Sequence, residues 1–129
     1  MSSALHVQVP LFLSLVPLIH VASVPRSIAF YASLGFRVTN VFTPPDQHEP
    51  SFARVESGGA SLMIVRGRAI EPDEQGLILT LYCEDATATH AALRAAGVGT
   101  GDLTFPPERP HGRFRLKDPD GYDLAVTHA

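Results

Sequence analysis

The sequence predicts an α+β chain built from two βαβββ modules, cupped mixed β-sheets with a helix on the outer face of each. Two observations carry this reading. The same helix grammar occurs twice, offset by 62 positions from Ser23 to Asp85, and strand-like runs and turn glycines around both copies fall into register at that offset without a gap.

The first helix is predicted from Ser23, whose hydroxyl can accept a first-turn amide, to Gly35, which can end the helix in the left-handed conformation. Val24, Ile28, Tyr31 and Ala32 recur at helical spacing between them. The second helix runs from the cap Asp85 through Ala88, Ala92, Leu93 and Ala96 to Gly97. A strand precedes each, Leu15 to Val21 in one copy and Leu77 to Cys83 in the other. After the helices, Phe36 to Phe42 maps onto a weaker run from Val98 to Thr104. Phe52 then maps onto Phe114, Gly59 onto Gly121, and Leu62 and Ile64 onto Leu124 and Val126.

The predicted organisation is a tail over 1–12, a first module over 13–66, a linker over 67–76 and a second module over 77–129, forming one structural domain. A single copy of this size buries little surface alone, and its one helix covers one sheet face only. The other face must meet the second copy or a second chain, and two curved sheets face to face enclose a trough suited to a ligand.

Composition narrows the function classes. The chain has 129 residues, 45% of them hydrophobic, and a formal charge of −3. Without a basic block, nucleic acid is not an expected partner. The apolar run from Val9 to Ala22 is interrupted by Pro10 and Pro17 and is too short to span a bilayer, so no membrane association is expected. The first basic residue is Arg26, which argues against a signal peptide. The run reads instead as a strand buried on both faces behind a loose tail. The single cysteine, Cys83, excludes an intrachain disulfide and points to a reduced, cytoplasmic setting.

Ser27-Ile28-Ala29-Phe30-Tyr31 followed by Leu34-Gly35-Phe36, with Gly112 to Tyr122 carrying Asp118-Pro119-Asp120-Gly121, resembles the vicinal oxygen chelate superfamily. That group contains glyoxalase I, the bleomycin resistance proteins and the extradiol dioxygenases. The likeness runs from about Val16 to Thr127 and implies the same paired βαβββ fold. The motifs also have a structural meaning, since Pro119 presets a turn and Phe30, Tyr31 and Phe36 read as core.

The resemblance supplies a test for metal. Metal-binding members place His or Glu on the first and last strands of each copy, at positions occupied here by Val16, Met63, Ile78 and Ala125. None is a hard donor, and Met63 is a pliable thioether. No cofactor is therefore expected. A displaced divalent site remains the alternative, because strand parity puts His20 on the face of Val16, Tyr82 on that of Ile78, and Ser61 and Asp123 on those of Met63 and Ala125.

Of the other histidines, His6 and His128 fall in the tails, His48 in a proline-rich loop, and His90 on the solvent side of the second helix. His111 precedes Gly112, either at the pocket mouth or in a solvated turn. Cys83 has core parity with Leu79 and Leu81. The expected function is metal-independent binding of a small, partly aromatic molecule or antibiotic, and the resemblance implies a homodimer. Tyr82 would supply a stacking face, Met63 an apolar wall, and His20, His111 and Asp123 polar contacts. The negative charge favours a cationic or neutral ligand. The alternatives are a glyoxalase-like lyase or isomerase or an extradiol-type dioxygenase with displaced ligands, and a non-catalytic partner whose trough is filled by its own side chains.

Overall fold

The computed structural model describes residues 8–68, 71 and 74–129. Its elements run β1 (Leu18–Val21), α1 (Val24–Ser33), β2 (Arg37–Phe42), β3 (Phe52–Ser57), β4 (Ala60–Arg66), β5 (Ile78–Cys83), α2 (Ala86–Ala95), β6 (Arg113–Lys117) and β7 (Asp123–His128). They form two mixed sheets, ordered β1-β4-β3-β2 and β5-β7-β6, with β1 parallel to β4 and β5 parallel to β7.

Both helices are delimited as the side chains dictate. The Ser23 hydroxyl accepts the Arg26 amide at 3.2 Å, and Asp85 Oδ1 accepts the Ala88 amide at 2.9 Å. At the far ends Gly35 and Gly97 take φ of 93° and 83°, while the amides of Phe36 and Val98 donate back to the carbonyls of Tyr31 and Leu93. These two closing bonds are themselves 62 positions apart, so the repeat extends to the backbone bonding.

Strand alternation sorts the sheets into two faces. Ile19, Val21, Ala53, Val55, Leu62 and Ile64 of the first sheet are buried on the α1 side. Phe114, Leu116, Leu124 and Val126 of the second are buried on the α2 side, and both sets belong to one continuous core. Each large side chain so buried contributes roughly 1.5–3 kcal/mol.

Three expectations are corrected. The first strand is only Leu18–Val21, and it is buried on one face rather than both: Ile19 and Val21 are buried, whereas Leu18 and His20 are exposed. The residues before it are not strand, because Pro17 donates no backbone hydrogen bond. The run from Val98 to Thr104 does not form a fourth strand. It touches β6 through a single Thr104–Arg113 bridge and a bond from the Gly101 amide to the Arg115 carbonyl. Gly97, Gly99 and Gly101 leave that segment with few side chains to pack. His90 and His128 are likewise structural. The His90 ring stacks edge-on against Phe114 with Nε2 2.9 Å from the Gly101 carbonyl, and His128 lies in β7 with Nδ1 accepting the Ala86 amide. His6 and much of the linker around Pro72 and Asp73 lie outside the described residues.

Candidate functional site

The loop Asp118–Tyr122 shows what its motif does. Asp118 Oδ1 accepts the amides of Asp120 and Tyr122, each at 2.9 Å, and Gly121 turns the chain at φ 86°. The folded turn then docks onto the first module. Tyr31 of α1 donates its phenol to Asp118 Oδ2 at 2.9 Å, and Asp120 Oδ1 accepts the Ala22 amide and the Arg26 guanidinium. The Tyr122 hydroxyl donates to the His20 carbonyl at 2.8 Å. Burial pushes the Asp118 carboxyl up against the pull of these hydrogen bonds, and burial with the neighbouring carboxylate raises the Tyr31 phenol, which stays a donor. The motif joins the modules, and among the described residues Asp120 Oδ2 is the one side-chain oxygen of the loop left buried without a hydrogen-bond partner.

The opposite faces of both sheets are open. Register places His20, Val65, Phe52 and Phe42 in one row across the first sheet, and Leu18, Met63, Arg54 and Asn40 in the next. Across the second sheet the rows are Ile78, Asp123 and Lys117, then Thr80, Ala125 and Arg115, then Tyr82, Thr127 and Arg113. The side chains at their edges are solvent-facing within the chain, Ile78 at 47% and Tyr82 at 62% exposure, so neither face is covered by the other. Small Ala125 and Thr127, on the central strand β7, form a buried floor between taller flanking side chains.

The structure brings the expected site residues together only in pairs. His20 and Met63 occupy adjacent rows of the first open face, with the His20 ring against Gly67. Tyr82 and Asp123 share the second open face but stand at opposite ends of it, four residues or about 13 Å apart. Tyr82 carries the Arg109 guanidinium 6.0 Å from its ring centre, and Asp123 is bound to Lys117 at 2.8 Å. His111 leans on His128, with ring centres 5.1 Å apart, and is thereby drawn toward the start of α2 rather than the open face. Ser61 is engaged by Glu56 and Arg54, its hydroxyl donating to Glu56 at 2.7 Å.

The donor set does not fit a catalytic metal. Val16, Met63, Ile78 and Ala125 line the positions where ligands would stand. Among the described residues no three His, Cys, Asp or Glu side chains converge.

Sequence reasoning missed two cavities at the junction of the modules, of about 460 Å³ and 390 Å³. The larger lies between the Gly59–Ala60 turn, Phe36, Leu93, Val126, Tyr82 and Cys83, so Cys83 borders a hollow as well as the core. A signal for it was present. The repeat maps Tyr31, Asp118, Asp120 and Tyr122 onto Leu93, Glu56, Gly58 and Ala60. Where one junction is filled by Tyr31, Asp120 and Tyr122, its counterpart carries the smaller Leu93, Gly58 and Ala60 and stays open.

Comparison with known proteins agrees with this geometry. The family model described as Glyoxalase/Bleomycin resistance protein/Dioxygenase superfamily matches residues 8–126. No curated protein matches the sequence. Among solved structures, a bleomycin-binding protein complexed with bleomycin superimposes with a TM-score of 0.72 at 16% identity, over 90% of this chain and 98% of that one. The bleomycin-binding protein of bleomycin-producing Streptomyces verticillus, complexed with copper(II)-bleomycin, gives 0.70 at 21% identity, over 94% and 99%. An antibiotic binding protein from Streptomyces sp. CB03234 gives 0.65 at 22% identity, over 92% and 98%. At these identities the likeness establishes the fold.

Proposed function

We propose that this chain, which belongs to the Glyoxalase/Bleomycin resistance protein/Dioxygenase superfamily, binds a small aromatic molecule or antibiotic without a metal and catalyses no reaction on it. The observation that carries the reading is the pairing of an open sheet face with Val16, Met63, Ile78 and Ala125 at the metal positions. Tyr82, exposed and capped by Arg109, offers an aromatic ring to stack on, and Met63 an adaptable apolar contact. Solved relatives that hold bleomycin on the same fold support a binding role.

The reading includes two copies of the chain, the open face of the first sheet in one meeting that of the second sheet in the other to enclose the ligand. The apolar segment ahead of β1 supports this, since Leu11, Phe12, Leu13 and Leu15 are 87–100% exposed and need a partner surface. No helix among the described residues is long and apolar enough to cross a membrane. The lone free Cys83 suits a cytoplasmic setting.

Calorimetry over a panel of aromatic compounds and antibiotics, run with and without chelator, tests the reading. Binding in the presence of chelator, weakened by Tyr82→Ala, is the expected result. Binding or turnover that appears only when Ni, Zn, Mn or Fe is added, together with a stoichiometric metal lost in His20→Ala, overturns it.

A further inference from the structure

The charge that a ligand meets differs in sign from the charge of the chain. Of ten basic residues, six lie on the two open faces or lean over them: Arg37, Arg54, Arg109, Arg113, Arg115 and Lys117. Of thirteen acidic residues, three do so among the described residues: Glu56, Glu108 and Asp123. A molecule of formal charge −3 thus presents a cationic binding surface, opposite to what the net charge suggests.

β6 is the cause. Its sequence Arg-Phe-Arg-Leu-Lys alternates, so Phe114 and Leu116 enter the core while Arg113, Arg115 and Lys117 stand in line on the open face. The outer two are compensated, Arg113 by Glu108 at 3.7 Å and Lys117 by Asp123 at 2.8 Å. The central one has no carboxylate within ion-pair distance among the described residues. Its row neighbours are Ala125 and Thr80, short side chains that leave the guanidinium beside a shallow floor. Tyr82 stands one row away on β5, two strand spacings or roughly 10 Å across the sheet. An uncompensated, planar, five-donor cation at one end and an exposed aromatic ring at the other define a two-point site.

We propose that the ligand is an aromatic acid, its ring on Tyr82 and its carboxylate, sulfonate or phosphate on Arg115, and that Arg115 determines this preference. The inference rests on the open faces being the binding surface. A charge-assisted bidentate contact to the exposed Arg115 guanidinium is worth about tenfold in affinity, and an ammonium at the same place meets repulsion.

Three isosteric probes test it by calorimetry: naphthoate, naphthalenemethanol and naphthylmethylammonium. Naphthoate is expected to bind about tenfold more tightly than the ammonium, with affinity falling as sodium chloride is added. Arg115→Gln should abolish that preference while leaving naphthalenemethanol binding unchanged, and Arg94→Gln on α2 should alter nothing. Equal binding of all three probes, or a naphthoate affinity indifferent to Arg115→Gln, overturns the anion preference while the binding role stands. Tighter binding of the ammonium overturns it too. If none of the three binds, both the preference and the binding role fail.

Discussion

Tyr31 donates its phenol to Asp118 at 2.9 Å across 87 residues of sequence, both groups buried, so that one helix of the first module is fastened to one turn of the second. Asp118 at the same time holds its own turn closed through two backbone amides. Tyr31→Phe removes one donor and leaves that turn satisfied, whereas Asp118→Ala strands the phenol and both amides. We expect losses of about 1–2 kcal/mol and about 3 kcal/mol respectively. The double variant should lose less than the sum of the two, by about 1 kcal/mol. Chemical denaturation of the four proteins measures the cycle, and strict additivity would show that the bond does not couple the modules.

A second expectation concerns His20. A Cβ on Gly67 would lie 2.5 Å from His20 Nδ1, inside any allowed contact, yet Gly67 does not require the left-handed conformation. Gly67→Ala should therefore swing the imidazole and spare the backbone, with a stability change within about 1 kcal/mol. Side-chain NMR of His20 should register the movement. If the ring contacts the ligand, calorimetry will show a several-fold loss of affinity; an unchanged affinity removes His20 from the site.

The Glu56 carboxyl is held below its ordinary value of 4.5, first by the Ser61 hydroxyl and then by Arg54, against the opposing effect of burial. A lowered folded-state value stabilises the protein above the ordinary carboxylate value, and that contribution is lost as pH falls through the folded-state one. Ser61→Ala should return Glu56 toward 4.5 in an NMR titration. The stability gap between parent and variant should be widest at neutral pH and close on acidification. A gap that widens in acid would contradict the assignment.

Sedimentation velocity tests the pairing of two copies. The parent should sediment as a dimer, and replacing Phe12 and Leu13 by serine should shift it toward monomer, because the exposed apolar segment loses its reason to be covered. A parent that stays monomeric at high concentration would refute the two-chain trough.

How much of this was readable in advance varies element by element. The helix ends were, because Ser23, Gly35, Asp85 and Gly97 act on backbone groups within one turn of themselves. The sharing of faces by Tyr82 with Ile78 and by Asp123 with Ala125 follows from parity within one strand, whereas the meeting of His20 with Met63 and of Tyr82 with Asp123 across strands needs the register of the sheets. The repeat predicts a strand over Val98–Thr104, and glycines that cannot pack a sheet edge decide otherwise. For His111 the sequence offers a pocket mouth or a solvated turn, and the orientation of its ring is set by His128, a neighbour across the fold.

What the sequence determined alone is what depends on near neighbours and on periodicity: two repeated modules, their caps and turns, the apolar residues at the metal positions, and which side chains of one strand share a face. Only the tertiary structure decided how the copies meet. Asp118, Asp120 and Tyr122 became a joint, their counterparts left a hollow, and the open faces gathered basic residues that the whole chain outnumbers with acidic ones. Packing and electrostatics between distant segments depend on distances in space, and separation along the chain carries no record of those distances until it folds.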